Sequence, residues 1–313
     1  MSFNIRQASF PADFIHQAEV VRQTRPEPVS AEELEKRVSE LPAGTIREVV
    51  LAFDEGGAPL GYAIAFHHRD HKPGLFSLYV NMVPSARRQG IGSALARAAQ
   101  EVVSARGGTH LRGEVKEADT DTMAFAKGLG FDVVRHIYES RLDLATFDPA
   151  PFAGVVDAVK DMGIRFFTLD QHNTEAVQRS FYELCRENLL DNPAEDAQDG
   201  FEPFEEWRSF VIEGGLFPHD CMLLAADGDR IVSAVVLEPR KGPLYNRVAV
   251  TARSHRGRQL ALALKLLAVD VGLRYGAPYL YTENDSLNAP ILAINRKMGY
   301  VPHPGTYYVE KRI

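Results

Sequence analysis

Cysteine is scarce: Cys185 and Cys221 are the only two in 313 residues and cannot build a disulfide framework. Both stand in apolar segments, which reads as buried thiols rather than nucleophiles. No apolar run reaches the ~18 residues that a membrane-spanning helix needs. The opening stretch, MSFNIRQASFPADF, lacks a basic segment followed by an apolar one. No secretory leader and no membrane partner are therefore expected, and a reducing cytoplasm fits. An excess of positive charge is missing as well: the formal net charge is −7. That argues against a general nucleic-acid binder but leaves room for a local basic pocket holding one anionic cofactor. There is no Gly-x-Ser-x-Gly elbow of a hydrolase and no Gly-x-x-x-x-Gly-Lys-Ser/Thr loop of a nucleotide phosphatase.

Hydrophobic content of 45% and charged content of 25% are ordinary for a globular chain, and the length suits two domains. The stretch Arg87-Arg88-Gln89-Gly90-Ile91-Gly92-Ser93 draws attention first. It follows an apolar strand pattern, Leu75–Val83, and a Pro84-Ser85 break, and it opens a helix running to about Arg106. Free backbone N–H groups at such a helix start, with glycines that permit close approach, suit a phosphate or pyrophosphate. Gly90-x-Gly92 is not a dinucleotide fingerprint, because Leu95 stands where the third glycine belongs.

The remaining elements follow in order. Strands are expected at 3–9, 48–54, 60–67 and 109–115, with two more in 131–144. Helices are expected at 11–24, 30–41 and 119–129. Ser30 with Glu33 forms a capping box, and Gly130 caps the last helix. Residues 147–163, with Pro149 and Pro151, read as a linker that includes a short helical pattern. The order then restarts. Strands are expected at 164–169, 221–226, 230–238, 244–250 and 278–282, with final strands at the end of the chain. Helices are expected at 174–190, 203–213, 257–275 and 288–297, and a polar loop at 192–200. Mixed strand and helix order makes this an α/β (α+β) chain.

Subtracting 169 exposes a repeat. Arg256 falls on Arg87, Ala261 on Gly92, Leu264 on Leu95, Glu283 on Glu114, Gly299 on Gly130, Tyr300 on Phe131 and Tyr307 on Tyr138. One ungapped offset joins both helix starts, both glycine caps and both strand ends, so two copies of one domain are expected, at 1–146 and 164–313.

Arg87-x-x-Gly90-x-Gly92 after a strand resembles the acetyl-CoA loop of the GNAT superfamily of N-acetyltransferases. Arg256-Gly257-Arg258-Gln259-Leu260-Ala261 resembles it again, with Gln at the first glycine position. Thr282 to Asn288 and on to Ile294–Tyr300 resembles the strand-to-helix segment that closes over the coenzyme. The resemblance implies two twisted, mostly antiparallel sheets flanked by helices, each with splayed central strands. It implies acetyl-CoA as cofactor, its pantetheine arm along the backbone of Val80, Met82 and Val83 (Ala249, Thr251 and Ala252 in the second copy). The pyrophosphate would sit on the N–H groups of Arg88, Gln89, Gly90, Ile91, Gly92 and Ser93. It would sit on the Arg256–Ala261 loop in the second copy, where Gln259 would crowd it while keeping a backbone N–H. Asn288 would hydrogen-bond the arm; the first copy has Asp119 there. Coenzyme is expected in the first copy and also in the second.

The tyrosine acid of many relatives is replaced by Ala126 and Asn295, and Phe76-Ser77 and Tyr245-Asn246 supply no carboxylate base. Glu114 and Glu283, at the ends of equivalent strands, are the candidate bases. The resulting reading is an acetyl-CoA-dependent N-acetyltransferase acting on an amine of a small molecule or a protein, as a monomer or homodimer. The whole-chain acidity leans towards a cationic or neutral amine. The alternative is a catalytically inactive acyl-CoA-binding regulatory or structural protein, kept open by the missing tyrosine.

Three other signals have plainer explanations. His67-His68-Arg69-Asp70-His71 reads as a hairpin loop rather than metal ligands, since no second ligand cluster stands out. Trp207 with Phe201, Phe204 and Phe210 reads as core, with an acceptor-pocket lining as the alternative. Lys265 and Arg274 read as solvated.

Overall fold

The computed structural model describes residues 2–25, 27, 29–68, 71–189 and 201–313. The polar loop expected at 192–200 lies outside the described residues. The chain divides into two compact units, Met1–Arg135 with Thr306–Ile313, and His136–Gly305.

The first unit runs β1 (Phe3–Gln7), α1 (Phe14–Thr24), α2 (Ala31–Ser39), β2 (Ile46–Asp54), β3 (Pro59–His67), β4 (Leu75–Met82), α3 (Ile91–Ala105), β5 (His110–Lys116) and α4 (Thr120–Gly128). The capping box is formed: Glu33 N–H donates to Ser30 Oγ at 3.2 Å and Ser30 N–H to Glu33 Oε2 at 2.9 Å. Strands β1 to β4 pair antiparallel in sequence order, and β4 then pairs parallel with β5. Helix α3 buries Ile91, Leu95, Ala96, Ala99 and Val103, one face at helical spacing, against the sheet. Burying a side chain such as Ile91 or Leu95 contributes roughly 1.5–3 kcal/mol. Gly61 is required where β3 meets β4, because a Cβ there would lie 2.5 Å from Met82 Sδ and 2.6 Å from Asn81 O.

Residues 132–143 form one twelve-residue strand, β6 (Asp132–Asp143), rather than the two strands expected. The stretch Phe131–Leu144 holds no Gly, Pro or Asn to make a turn. Its first residues belong to the first unit, and the rest to the second.

The second unit continues with α5 (Val155–Asp161), β7 (Ile164–Thr168), α6 (Glu175–Leu189), α7 (Phe204–Trp207), β8 (Met222–Asp227), β9 (Arg230–Pro239), β10 (Leu244–Thr251), α8 (Leu260–Arg274), β11 (Tyr279–Asp285), α9 (Ala289–Met298) and β12 (Val301–Pro302). β13 (Thr306–Arg312) closes the chain. β7 to β10 pair antiparallel in order, and β10 pairs parallel with β11. The stretch read as a linker is part of this unit, since Phe152 and Val159 are in its core. Trp207 and Phe204 are core as expected, with the Phe181 ring 5.3 Å from Trp207, whereas Phe210 is exposed. No helix among the described residues is long and apolar enough to cross a membrane.

In each unit the strand next to the parallel pair comes from the other half of the chain. β13 runs antiparallel to β5, from Thr306↔Lys116 to Arg312↔His110. β6 runs antiparallel to β11, with Ile137 opposite Asp285 and Asp143 opposite Tyr279. The 169 offset converts one register into the other, residue for residue. In the compact units, residues 136–146 fall with the second and 306–313 with the first.

Val309, 1% exposed, lies in the core of the first unit. Val309→Ala is expected to cost roughly 2 kcal/mol. Hydrogen exchange should show β5 and its neighbours losing protection while residues 136–305 keep theirs; the reverse pattern would contradict the strand's placement.

Candidate functional site

The parallel pairing of β4 with β5 ends at Ser77↔Arg112. Beyond it β4 stays on β3 as far as Met82, and β5 stays on β13. The two strands thus part, and an edge of β4 is left facing a cavity of about 560 Å³. Val83 N–H donates to Leu60 O at 3.0 Å, which turns that residue's backbone towards β3. By strand alternation Val80 and Met82 turn theirs the other way, to the open edge. Val80 lines the cavity, and the Met82 carbonyl accepts from Arg87 Nε at 3.3 Å. Val83, expected to pair with the pantetheine arm, does not offer its backbone: its carbonyl also accepts from Ala86 N at 3.0 Å.

The loop between β4 and α3 turns its backbone amides to one side at the start of a helix. Arg88 and Gly90 both take left-handed backbone conformations, φ 62° and 79°. Ile91, wholly buried, pins the helix start to the core. The first intrahelical bond runs from Ala94 N–H to Gly90 O at 3.1 Å, so the amides before it have no intrahelical partner. A Cβ on Gly90 would meet nothing within 4 Å, so the space over the loop is open. Amides curled by left-handed residues at a helix start suit a pyrophosphate. At the rim, Arg88 pairs with Asp121 at 2.9 Å and Gln89 Nε2 donates to Ser85 O at 2.9 Å. Gly92 packs towards Phe125, and Ser93 follows on the first helical turn. Asp119 caps α4, accepting from Thr122 Oγ1 at 2.7 Å and from Thr122 N–H at 2.9 Å, and these bonds, the hydroxyl's first, hold its carboxyl below the usual range.

Glu114 lines the same cavity and accepts a hydrogen bond from Tyr79 Oη at 3.1 Å. Burial, with Glu114 beside it, pushes the Tyr79 phenol up to about 12, so it remains a donor at neutral pH. Tyr79 was not singled out from sequence. Its one signal there is a polar aromatic interrupting the apolar Leu75–Val83 run.

The second unit repeats the frame and fills the opening. β10 leaves β11 after Tyr245↔Tyr281. Its loop carries the same two left-handed positions, Gly257 at φ 79° and Gln259 at 63°, and Ala263 N–H bonds Gln259 O at 2.9 Å. Arg256 Nε donates to Thr251 O at 3.2 Å, as Arg87 does to Met82. Arg258 is exposed, Leu260 is buried at the start of the helix, and Ala261 follows it. Thr251 Oγ1 is tied to Ser233 Oγ at 2.8 Å, and Ala252 N–H bonds Val232 O at 2.8 Å, as Val83 bonds Leu60. Asn288 is exposed at the start of α9 and makes no side-chain cap. Glu283 is exposed and accepts from Tyr245 Oη at 3.2 Å.

Buried polar side chains occupy the space between β10 and β11. Lys265, read as solvated from sequence, is 1% exposed. With the Asn246 amide turned so that its oxygen meets the lysine, Nζ lies 3.0 Å from that oxygen and the amide nitrogen 2.9 Å from Val248 O; Nζ is also 4.7 Å from the Tyr300 ring centre. Thr282 Oγ1 donates to Asn246 O at 3.0 Å, Asn284 Nδ2 to Ser140 Oγ at 2.7 Å, and Asn295 Nδ2 to Asn284 Oδ1 at 2.6 Å. At equivalent positions the first unit has Ser77, Ala96, Gly113, Val115, Ala126 and Phe131. Gly113, Val115, Ala126 and Phe131 of these line its cavity. Small or apolar residues leave a cleft open; Asn, Lys, Thr and Tyr close its counterpart.

Other expectations can be placed. His67 Nδ1 lies 2.7 Å from Leu75 O, and no group of metal-ligating side chains occurs among the described residues. Burial pushes the Cys185 thiol up to about 12, which leaves it inert.

The acetyltransferase (GNAT) family model matches residues 13–131. Over 99% of its length the chain superposes on a GCN5-related N-acetyltransferase from Sphaerobacter thermophilus, TM-score 0.57, 21% identical, covering 95% of that chain. The chain has a GNAT acetyltransferase fold. A tandem GNAT protein from the clavulanic acid biosynthesis pathway matches over 99% of this chain and 98% of its own, at TM-score 0.53 and 18% identity. A mycothiol acetyltransferase of Mycobacterium sp. (strain JLS) is 36% identical over 118 residues, 36% of this chain and 36% of the relative. That match spans about a third of the curated relative's length.

Burial lowers the Lys265 ammonium to about 7 from an ordinary 10.5. The unfolded chain keeps that proton up to about pH 10.5 while the fold releases it near 7. Between those values the unfolded chain holds more protons, so stability rises with pH. Wild type should gain roughly 2 kcal/mol from pH 7 to 9 relative to Lys265→Met in denaturant titrations. Parallel curves for the two proteins would show that the amine is not desolvated.

Proposed function

We propose that the protein is an acetyl-CoA-dependent N-acetyltransferase of two GNAT-like domains, in which the first unit holds the coenzyme and carries the chemistry. The supporting observation is an open cavity and an anion-binding loop on one splayed strand edge, with Glu114 in the cavity wall. Bound there, acetyl-CoA supplies an activated acetyl thioester. The amides of residues 88–93 hold its pyrophosphate, and the backbone of Val80 and Met82 orients its arm. Tyr79 fixes one oxygen of Glu114 and leaves the other for the acceptor. Glu114 takes a proton from the acceptor ammonium. The free amine attacks the acetyl carbon; a C–N bond forms as the C–S bond breaks. The nitrogen then loses a second proton, and the departing thiolate takes one up, so one proton is released overall.

In this reading the second unit binds no coenzyme, because its splay is filled by Lys265, Asn246 and Tyr300. One observation favours the alternative of a coenzyme binder without turnover: Ala126 stands where relatives place a tyrosine acid. The curated relatives' name specifies mycothiol acetylation, but the match spans only about a third of their length, so it does not transfer the acceptor.

Two experiments test the proposal. Aspartate in the first turn of a helix favours the helix yet repels a phosphate. Gly92→Asp should therefore weaken acetyl-CoA binding at least tenfold in calorimetry, while Ala261→Asp leaves it unchanged with one equivalent bound per chain; the opposite assignment would move the site to the second unit. Glu114→Gln should lower kcat/KM by about 10²–10⁴ in a thiol-release assay without altering coenzyme affinity. A drop of less than threefold would remove Glu114 as the base, and tight binding with no turnover of any amine by wild type would favour the inactive binder.

A further inference from the structure

The cavity of the first unit has a cationic side that the coenzyme does not explain. Arg25 follows α1, Arg37 lies on α2 and Arg47 on β2, and all three line the cavity. Arg47 is half-buried. One of its guanidinium nitrogens donates to Gln17 Oε1 at 2.7 Å, and Gln17 is itself 1% exposed. The guanidinium lies over the Phe10 ring at 4.7 Å and the Phe14 ring at 6.0 Å. Burial pulls its pKa down, as expected for a cation set among aromatic rings without an anion. None of the three arginines pairs with a carboxylate among the described residues. Tyr62, 4% exposed in the same wall, has its phenol raised by burial and eased back by Arg25 and Arg47, so both cations face one spot. Thr45 Oγ1, also in this wall, is buried with no hydrogen-bond partner. Among the described residues, the only acid in the lining is Glu114.

Desolvating an unpaired guanidinium is costly unless a bound anion offsets it. A planar fork of donors fits a carboxylate or a phosphate in bidentate fashion. Building on the acetyltransferase reading above, we propose that this cavity selects acceptor amines that carry an oxyanion, a carboxylate or a phosphate, gripped by Arg47 with Arg25 and Arg37 at its mouth. The amine of such an acceptor turns to Glu114, and its oxyanion turns to the arginines. The local charge thus reverses the preference that the whole-chain charge of −7 suggests.

The test has a binding arm and a turnover arm. Amino carboxylates, amino phosphates and their amidated or dephosphorylated counterparts are titrated into the full chain by calorimetry, then assayed with acetyl-CoA. The oxyanion forms should bind and turn over at least tenfold better than their neutral counterparts, and the two families separate carboxylate from phosphate as the group recognised. Arg47→Gln should raise KM for the oxyanion acceptor about tenfold or more, the loss of one charge-assisted hydrogen bond, with acetyl-CoA affinity within twofold. Arg37→Gln, at an exposed helical position, should raise it less and guards against a folding defect in the first variant. Equal use of neutral and anionic amines, or variants that leave that ratio unchanged, would overturn the proposal while acetyl-CoA turnover kept the acetyltransferase reading intact. If acetyl-CoA does not bind, that reading fails, and the binding arm alone still decides whether the arginines hold an oxyanion.

Discussion

Two parallel strands that part halfway along their length leave a row of backbone N–H and C=O groups with no strand to pair with. Buried backbone groups must find partners, and the structure meets this demand in two ways. In the second unit, side chains answer it from within. Asn246, with its amide oxygen turned to Lys265, donates to the Val248 carbonyl, and Thr282 donates to that of Asn246. In the first unit the corresponding side chains are Ser77, Gly113 and Val115, and the edge of β4 fronts a cavity. One backbone geometry thus gives a closed core or an open cleft, and six side chains decide which.

The closed solution carries a cost. An amine buried to 1% exposure is lowered to about 7, and its hydrogen bond to Asn246 and contact with Tyr300 offset only part of the lost hydration. The open solution concentrates charge instead. A protein of net charge −7 gathers donors at two places, the loop amides of residues 88–93 and the arginines Arg25, Arg37 and Arg47. Both belong to the first unit. Charge summed over the chain says little about either, because screening confines such effects to about 8–10 Å.

Local signals were legible in the sequence, and pairings between distant strands were not. The capping box at Ser30, the Gly130 cap and the loop-to-helix start at Gly90 are set by neighbouring residues and stand where the pattern puts them. The repeat at 169 was legible because equivalent positions do equivalent work. The destinations of β6 and β13 were not, since the partner of each lies far away in the chain and nothing local in either strand names it. Lys265 was misread because single charges on helices are usually solvated. A better signal was present: α8, LALALKLLAVDVGLR, is apolar nearly all round, so a lysine near its middle has little solvated face to occupy. Tyr79 and the arginine cluster come together only through tertiary structure, and their sequence separations carry no hint of it.

The exchange of strands β6 and β13 also bears on why a closed second copy persists. β13 follows the whole second unit in the chain yet pairs along the full length of β5, and Val309 on it is 1% exposed in the first unit's core. Losing the second copy from the C-terminal side would strip the first sheet of a strand and expose the edge of β5, an aggregation hazard as well as a loss of core. The second unit in turn takes β6 from the first half. Each half is therefore an obligatory part of the other's fold, whatever it binds. The second splay can therefore be packed with polar side chains while the first unit keeps its open cavity.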